Sequence, residues 1–209
     1  LIREPSGRVR AIEACGPAGA RAVPELYREH EAIPPRGPLA ALTVPGAVGG
    51  WIVALEAARA AGGRMPRDVL LGPAVRAARE GYVVTRGQAR LAAENFDELR
   101  SAPGFAATFL ADGKPPEAGA VLRQSALAAT LDHLAHAGLD DFYRGDVGRE
   151  IAADLERIGS PVTRADLERY HAVAREPLEV AIAAGTLFNT PPPTQGLASL
   201  IILALFDRL

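Results

Sequence analysis

Four histidines, one cysteine and a run of aspartates are the side chains through which this 209-residue chain could do chemistry. His133 and His136 stand three apart, a spacing that puts both on one side of a helix and could hold a metal ion. The apolar residues around them, Leu127, Leu131 and Leu134, define a different face. Both histidines are then left on the polar side with only Asp132 beside them, and a solvated pair is favoured over a metal site. His30 and His171 are isolated. Cys15 would need a base to act as a nucleophile, yet no histidine lies near it in sequence, so a small buried apolar role is the better fit. Asp140, Asp141 and Asp146 could gather a cation; carboxylates at helix starts, near the positive end of the dipole, account for them more simply. Thr43-Val44-Pro45-Gly46 has too few glycines to cradle a phosphate and reads as a helix start. No Gly-x-Ser-x-Gly elbow, Walker loop or dinucleotide fingerprint occurs.

The elements that must position these residues are set by punctuation as much as by periodicity. Alternation over residues 7–13 predicts a short strand leaving a Ser6-Gly7 turn. A helix is expected over 18–30, then a loop over 31–38, where Pro34-Pro35 and Gly37-Pro38 cannot continue it. Val48, Trp51, Ile52 and Leu55 share one face of a helix over 47–61, ended by Gly62-Gly63. Pro66 and Gly81 bracket the next helix, since proline lacks a donor the first turn does not need and glycine accepts positive φ. Thr85 and Gln88 have capping-box spacing for a helix to about residue 100. After turn-rich 103–119, a helix is expected over 121–137, and another helical region over 140–158, interrupted near Gly145. Thr163 and Asp166 resemble a further cap. Leu178, Val180 and Ile182 alternate as a strand that 187–189 could pair with. Pro191-Pro192-Pro193 is expected to run extended, leading to an apolar helix over 195–209.

Composition narrows the class. The chain is 48% apolar with a formal charge of −2, so it has the makings of a packed core rather than a disordered tail. Basic and acidic residues balance at 23 against 25, without a phosphate-tracking cluster, which argues against a nucleic-acid partner. The longest apolar run, residues 197–206, is well short of the ~20 residues that span a bilayer. One cysteine excludes an internal disulfide and leaves periplasm and cytoplasm both open. With no initiator methionine at Leu1 and an apolar pattern still running at Leu209, the chain reads as one incomplete domain cut from a longer protein. The bias toward arginine, with Lys114 the only lysine, is read as codon composition.

Several segments, in order, carry a resemblance. They are Thr43-Val44-Pro45-Gly46-Ala47-Val48-Gly49-Gly50, Pro73-Ala74-Val75 through Ala78-Arg79-Glu80-Gly81-Tyr82-Val83-Val84, and Gln124, Leu127-Ala128, Thr130-Leu131 and Gly138. Phe142-Tyr143-Arg144-Gly145, Thr163, Asp166-Leu167, Tyr170, Arg175 and Pro177 follow, and then Pro191-Pro192-Pro193-Thr194-Gln195-Gly196. Together they resemble the middle of the large subunit of the gamma-glutamyltranspeptidase family over residues 9–209. The resemblance implies an α+β fold, the αββα sandwich of the N-terminal nucleophile hydrolases, of which this chain would be a mostly helical part with a few strands. It also implies a precursor that cuts itself, and a small subunit from that precursor as partner. The freed threonine of that subunit would attack a small-molecule amide or gamma-glutamyl substrate, its own α-amine serving as base. On that reading no catalytic residue lies in this chain, and no cofactor or metal is needed. The family places an arginine for the substrate α-carboxylate, in an Asp-x-Arg-Glu pattern, after the first strand; the matching stretch is Glu13-Ala14-Cys15-Gly16, which puts Cys15 at the substrate-binding position. A thiol cannot replace a bidentate guanidinium. The resemblance therefore leaves open a cephalosporin-acylase-like amide hydrolase of the same fold, or a relative that binds without catalysis.

Overall fold

A computed structural model describes residues 1–209. The chain opens with β1 (Ile2–Arg3) and β2 (Val9–Glu13), paired antiparallel across the turn at Gly7. Alternate residues of β2, Val9 and Ala11, are buried, as the period-2 pattern requires. The helix expected over 18–30 does not form. Only a 3₁₀ turn, Pro24–Tyr27, occurs there, because residue 18 bridges to Thr43 and Gly19 is pressed against the backbone of Pro161 and Val162. Those long-range contacts hold the segment extended against its local propensity.

Helices α1 (Ala47–Ala60) and α2 (Arg67–Glu80) follow the expected bounds, and α2 stops at Gly81 with φ +104°. Next come β3 (Tyr82–Val83), α3 (Arg86–Glu94), α4 (Phe96–Leu99) and α5 (Phe105–Phe109). Thr85 accepts from the Gln88 N–H as the cap of α3, but the helix breaks at Asn95 instead of reaching residue 100; the Asn95 amide donates to the Leu91 carbonyl there. Residues 121–124 are not helical as expected: β4 (Val121–Leu122) pairs with β3, and α6 (Ser125–Ala137) begins after it. The buried stripe of α6 is Ala128, Leu131, Leu134 and Ala135, with Leu127 outside it and exposed.

Three helices that pack on one another follow α6, namely α7 (Asp141–Arg144), which touches α6, α8 (Asp146–Arg157) and α9 (Arg164–Arg169). Thr163 and Asp166 make the full reciprocal capping box of α9. Then β5 (Val173–Arg175), unforeseen in the sequence, adds to the free side of β2 and makes a three-stranded antiparallel sheet in the order β1-β2-β5. The hairpin of β6 (Leu178–Ile182) and β7 (Gly185–Asn189) forms as expected and lies against α10 (Gly196–Phe206). Residues 191–193 do not run extended; they turn, with the Pro192-Pro193 peptide cis and the Thr194 N–H bonded to the Pro191 carbonyl.

The main core joins α1 to the short helices. Val44, Val48, Leu134, Leu139, Tyr143, Val147, Leu167 and Tyr170 form one buried cluster, and Ile52, Leu55 and Leu71 pack on its edge. No helix is long and apolar enough to cross a membrane.

Candidate functional site

The end of β2 and the start of α1 are forced into close contact by glycines. A Cβ on Gly16 would lie 1.6 Å from the Val44 carbonyl oxygen, and one on Gly46 would lie 1.9 Å from the Ala14 carbonyl oxygen. Only backbone without side chains can cross at that distance. The crossing fixes residues 14–16 across the entry of α1 and sets Cys15 there, exposed and unpaired. The small buried apolar role read from its residue type is therefore corrected: the crossing consumes the space beneath Cys15 and turns the thiol outward.

Two tyrosines support this crossing from below. The Tyr143 hydroxyl accepts from the Gly49 N–H and donates to the Pro45 carbonyl, while the Tyr170 hydroxyl donates to the Gly46 carbonyl at 3.3 Å. Burial pushes the Tyr143 phenol up to about 12, partly offset by the Gly49 bond. Burial also raises Tyr170, and the negative charge of ionised Cys15 and Glu13 adds to the effect. Both phenols are thus held neutral, suited to hydrogen bonding and not to proton transfer near neutral pH. Glu13 accepts a 2.8 Å bond from Arg175 Nε on the neighbouring strand, so the cation nearest in the sheet is already engaged. A second anchor lies at Asp166. Its carboxylate caps α9 and accepts from the Ala20 N–H at 3.0 Å, tying down the segment that follows Cys15. Burial would raise its pKa, but the donors of Thr163, Ala20 and Arg169 overcome this and hold it below the ordinary carboxylate range.

The other chemistry-bearing residues fall elsewhere. His133 and His136 do not converge: His136 Nδ1 lies 2.7 Å from the Asp132 carbonyl, whereas His133 Nε2 faces Asp141 at 3.1 Å, with Asp146 nearby. The sequence had placed only Asp132 beside this pair. Asp141 also accepts from the Val147 N–H, and Asp140 and Asp146 pair with Arg144 and Arg149. Asp141 and Asp146 are the first residues of α7 and α8, as the helix-start reading expects. His171 sits against Arg144. A cleft of about 860 Å³ beside α8 and α9 is lined by Arg21, Arg144, Arg149 and Arg164, three of which are matched by Asp140, Asp146 and Glu168. Thr43-Val44-Pro45-Gly46 is a helix entry. Missed in the sequence were the paired tyrosines and Arg175 as its neighbour on the sheet; their only signal was their place among the segments of the resemblance.

The family model described as Gamma-glutamyltranspeptidase matches residues 1–209. The oxamate amidohydrolase proenzyme of Klebsiella pneumoniae subsp. pneumoniae is 46% identical, covering 100% of this chain and 40% of the relative. The glutathione hydrolase proenzyme of Escherichia coli (strain K12) is 31% identical over 94% of this chain and 34% of the relative. Among solved structures, cephalosporin acylase from Bacillus halodurans superposes with a TM-score of 0.86 at 28% identity, covering 99% of this chain and 39% of that one. The chain spans at most about two fifths of the length of these relatives.

Proposed function

The chain belongs to the gamma-glutamyltranspeptidase family, whose members include N-terminal nucleophile amidohydrolases and acylases, and from that footing we propose a specific role. It supplies part of the large subunit of a self-processing amidohydrolase that acts on a small carboxylated amide such as oxamate. The observation that carries this reading is the 46% identity across the whole chain with an oxamate amidohydrolase proenzyme, against 31% with a glutathione hydrolase proenzyme.

Cys15 supports it on chemical grounds. A gamma-glutamyl donor carries its α-carboxylate at the far end of a side chain, where a guanidinium must reach it. Oxamate carries its carboxylate directly on the amide carbon, so a cation at that distance would serve nothing. An exposed thiol there removes the long-range clamp and narrows the choice toward short substrates. In the reaction, a threonine supplied by the partner small subunit adds its hydroxyl oxygen to the amide carbon as its α-amine takes the proton. The C–N bond then breaks as the α-amine returns that proton to the leaving ammonia, and water, giving up a proton to the amine, cleaves the oxalyl ester to release oxalate and restore the threonine hydroxyl.

The experiment uses the full-length protein. Intact mass should show two polypeptides from one gene, with threonine at the new terminus. The kcat/KM for oxamate should exceed that for glutathione by at least a hundredfold. A single uncut mass favours a noncatalytic relative, and a preference for glutathione overturns the substrate assignment. A second reading, an acylase acting on a cephalosporin side-chain amide, is favoured by the TM-score of 0.86 with a cephalosporin acylase, and the same assay includes that substrate.

A further inference from the structure

Four arginines are half-buried: Arg10, Arg67, Arg144 and Arg164. Three are matched by a carboxylate, Glu4, Asp140 and Glu168 respectively. Arg67 enters none of the ion pairs or side-chain hydrogen bonds of the molecule, although it is the first residue of α2 and its guanidinium lies over Gly138. A Cβ on Gly138 would stand 3.0 Å from Arg67 Nη1, so the absence of a side chain there is what seats the guanidinium. Its guanidinium keeps contact with water and has no carboxylate of its own, which leaves the charge available to an incoming anion.

Beside it, α1 and α2 diverge to leave a cavity of about 240 Å³ walled by Trp51, Leu55, Leu70, Leu71 and Leu139. Trp51 and Leu70 keep 42% and 41% of their surface exposed in forming this wall. Leu139, by contrast, belongs to the buried core and ties the cavity to it. Glu56 and Asp140 line the adjoining cleft, but neither comes within ion-pair distance of Arg67, and Asp140 is held by Arg144. An apolar chamber with a single cation at its rim is the arrangement that recognises a molecule with an apolar body and one negative end.

We propose that this cavity binds a small amphipathic carboxylate, its alkyl or aryl body against Trp51, Leu55, Leu70 and Leu71 and its carboxylate on Arg67. The charge complementarity of an unmatched guanidinium selects the acid over a neutral ligand.

Octanoate is the probe, titrated calorimetrically into the full-length protein at pH 7, with octanol as the neutral analogue and acetate as the headgroup alone. Saturable binding of one octanoate per chain is expected, with acetate showing none. Arg67→Gln should weaken octanoate about tenfold or more while leaving octanol unchanged, since it removes a charge-assisted pair but no apolar contact. Arg67→Lys should retain part of the affinity. Trp51→Ala, at an exposed position, should weaken octanoate and octanol alike and keeps the test available if Arg67→Gln fails to fold. Absence of saturable binding, whether because another part of the protein fills the cavity or because the ligand is not held, overturns the proposal. So does octanoate affinity that survives Arg67→Gln.

Discussion

The hydroxyl of Tyr143 accepts a 2.8 Å hydrogen bond from the backbone N–H of Gly49, 94 positions away in the chain, and donates another of 2.8 Å to the carbonyl of Pro45. One buried phenol thereby satisfies both a free donor and a free acceptor at the start of α1, the helix over which Cys15 is set.

Tyr143→Phe should therefore cost about 1–3 kcal/mol, because it strands the buried Gly49 N–H and removes the partner of the part-buried Pro45 carbonyl. The pH dependence follows from the raised phenol. A group whose folded pKa lies above its ordinary value stabilises the fold fully below that value, and the contribution is lost as pH rises through the folded one. For Tyr143 the window runs from about 10 to about 12. Thermal unfolding at pH 8 and pH 11.5 should show the wild type losing more stability than Tyr143→Phe across that window.

Asp166 gives the opposite slope. Its pKa is lowered, so its contribution is present above the ordinary carboxylate value of about 3.9 and lost as pH falls through the folded value. Asp166→Asn should cost about 1–3 kcal/mol at pH 7, where the side chain, only 6% exposed, loses its charge-assisted bonds. In urea denaturation the gap between the two proteins should narrow below about pH 4.

The same substitution at two glycines should have opposite signs. Gly16→Ala puts a carbon 1.6 Å from the Val44 carbonyl oxygen, a backbone clash expected to cost more than about 4 kcal/mol and to prevent folding. Gly87→Ala lies in the first turn of α3 with its nearest neighbour at 4.0 Å, and should stabilise by about 0.5–1 kcal/mol. Melting temperatures of the two variants check the pair.

Cys15→Arg should shift specificity rather than stability, since the thiol is exposed. Turnover of a gamma-glutamyl donor should rise by about ten- to a hundredfold in kcat/KM, the worth of a charge-assisted pair of about 1.5–3 kcal/mol. Turnover of oxamate should stay level or fall. A gamma-glutamyl rate unchanged by the substitution would show that another cation holds the carboxylate.

Helix α10 presents Ile202 and Phe206 at 64% and 75% exposure. Residues 1–209 expressed alone should self-associate through this apolar face and fail to unfold cooperatively as a soluble monomer. Ile202→Glu with Phe206→Ser should lower the sedimentation coefficient at equal concentration. A monomer with the native residues would mean that the face is covered from within the chain.

What was legible in the sequence was the chemistry of neighbours. Thr163 and Asp166, Gly81 and Gly138 mark helix ends as their types predict, and Thr85 caps α3, although the Gln88 side chain bonds to the Tyr82 hydroxyl instead of returning to the cap. The errors arise where distant segments decide. Residues 18–30 have helical composition, but the packing of Gly19 on Pro161 and Val162 overrides it. Three-residue β5 has no periodicity to detect and exists because β2 offers it an edge. The exposure of Cys15 was not legible from its residue type, since it depends on the crossing of residues 14–16 over 44–46.

The pairing of β2 with β5 also sets a clock. Glu13 and Arg175 are 162 positions apart, so at about 5–20 residues per second a ribosome needs about 8–30 s to deliver the partner after the first strand emerges. During that interval β2 has one edge covered by β1 and the other open, and the thiol beside it has no completed sheet to hold its place. Slow codons between the two strands would lengthen the exposure of that open edge.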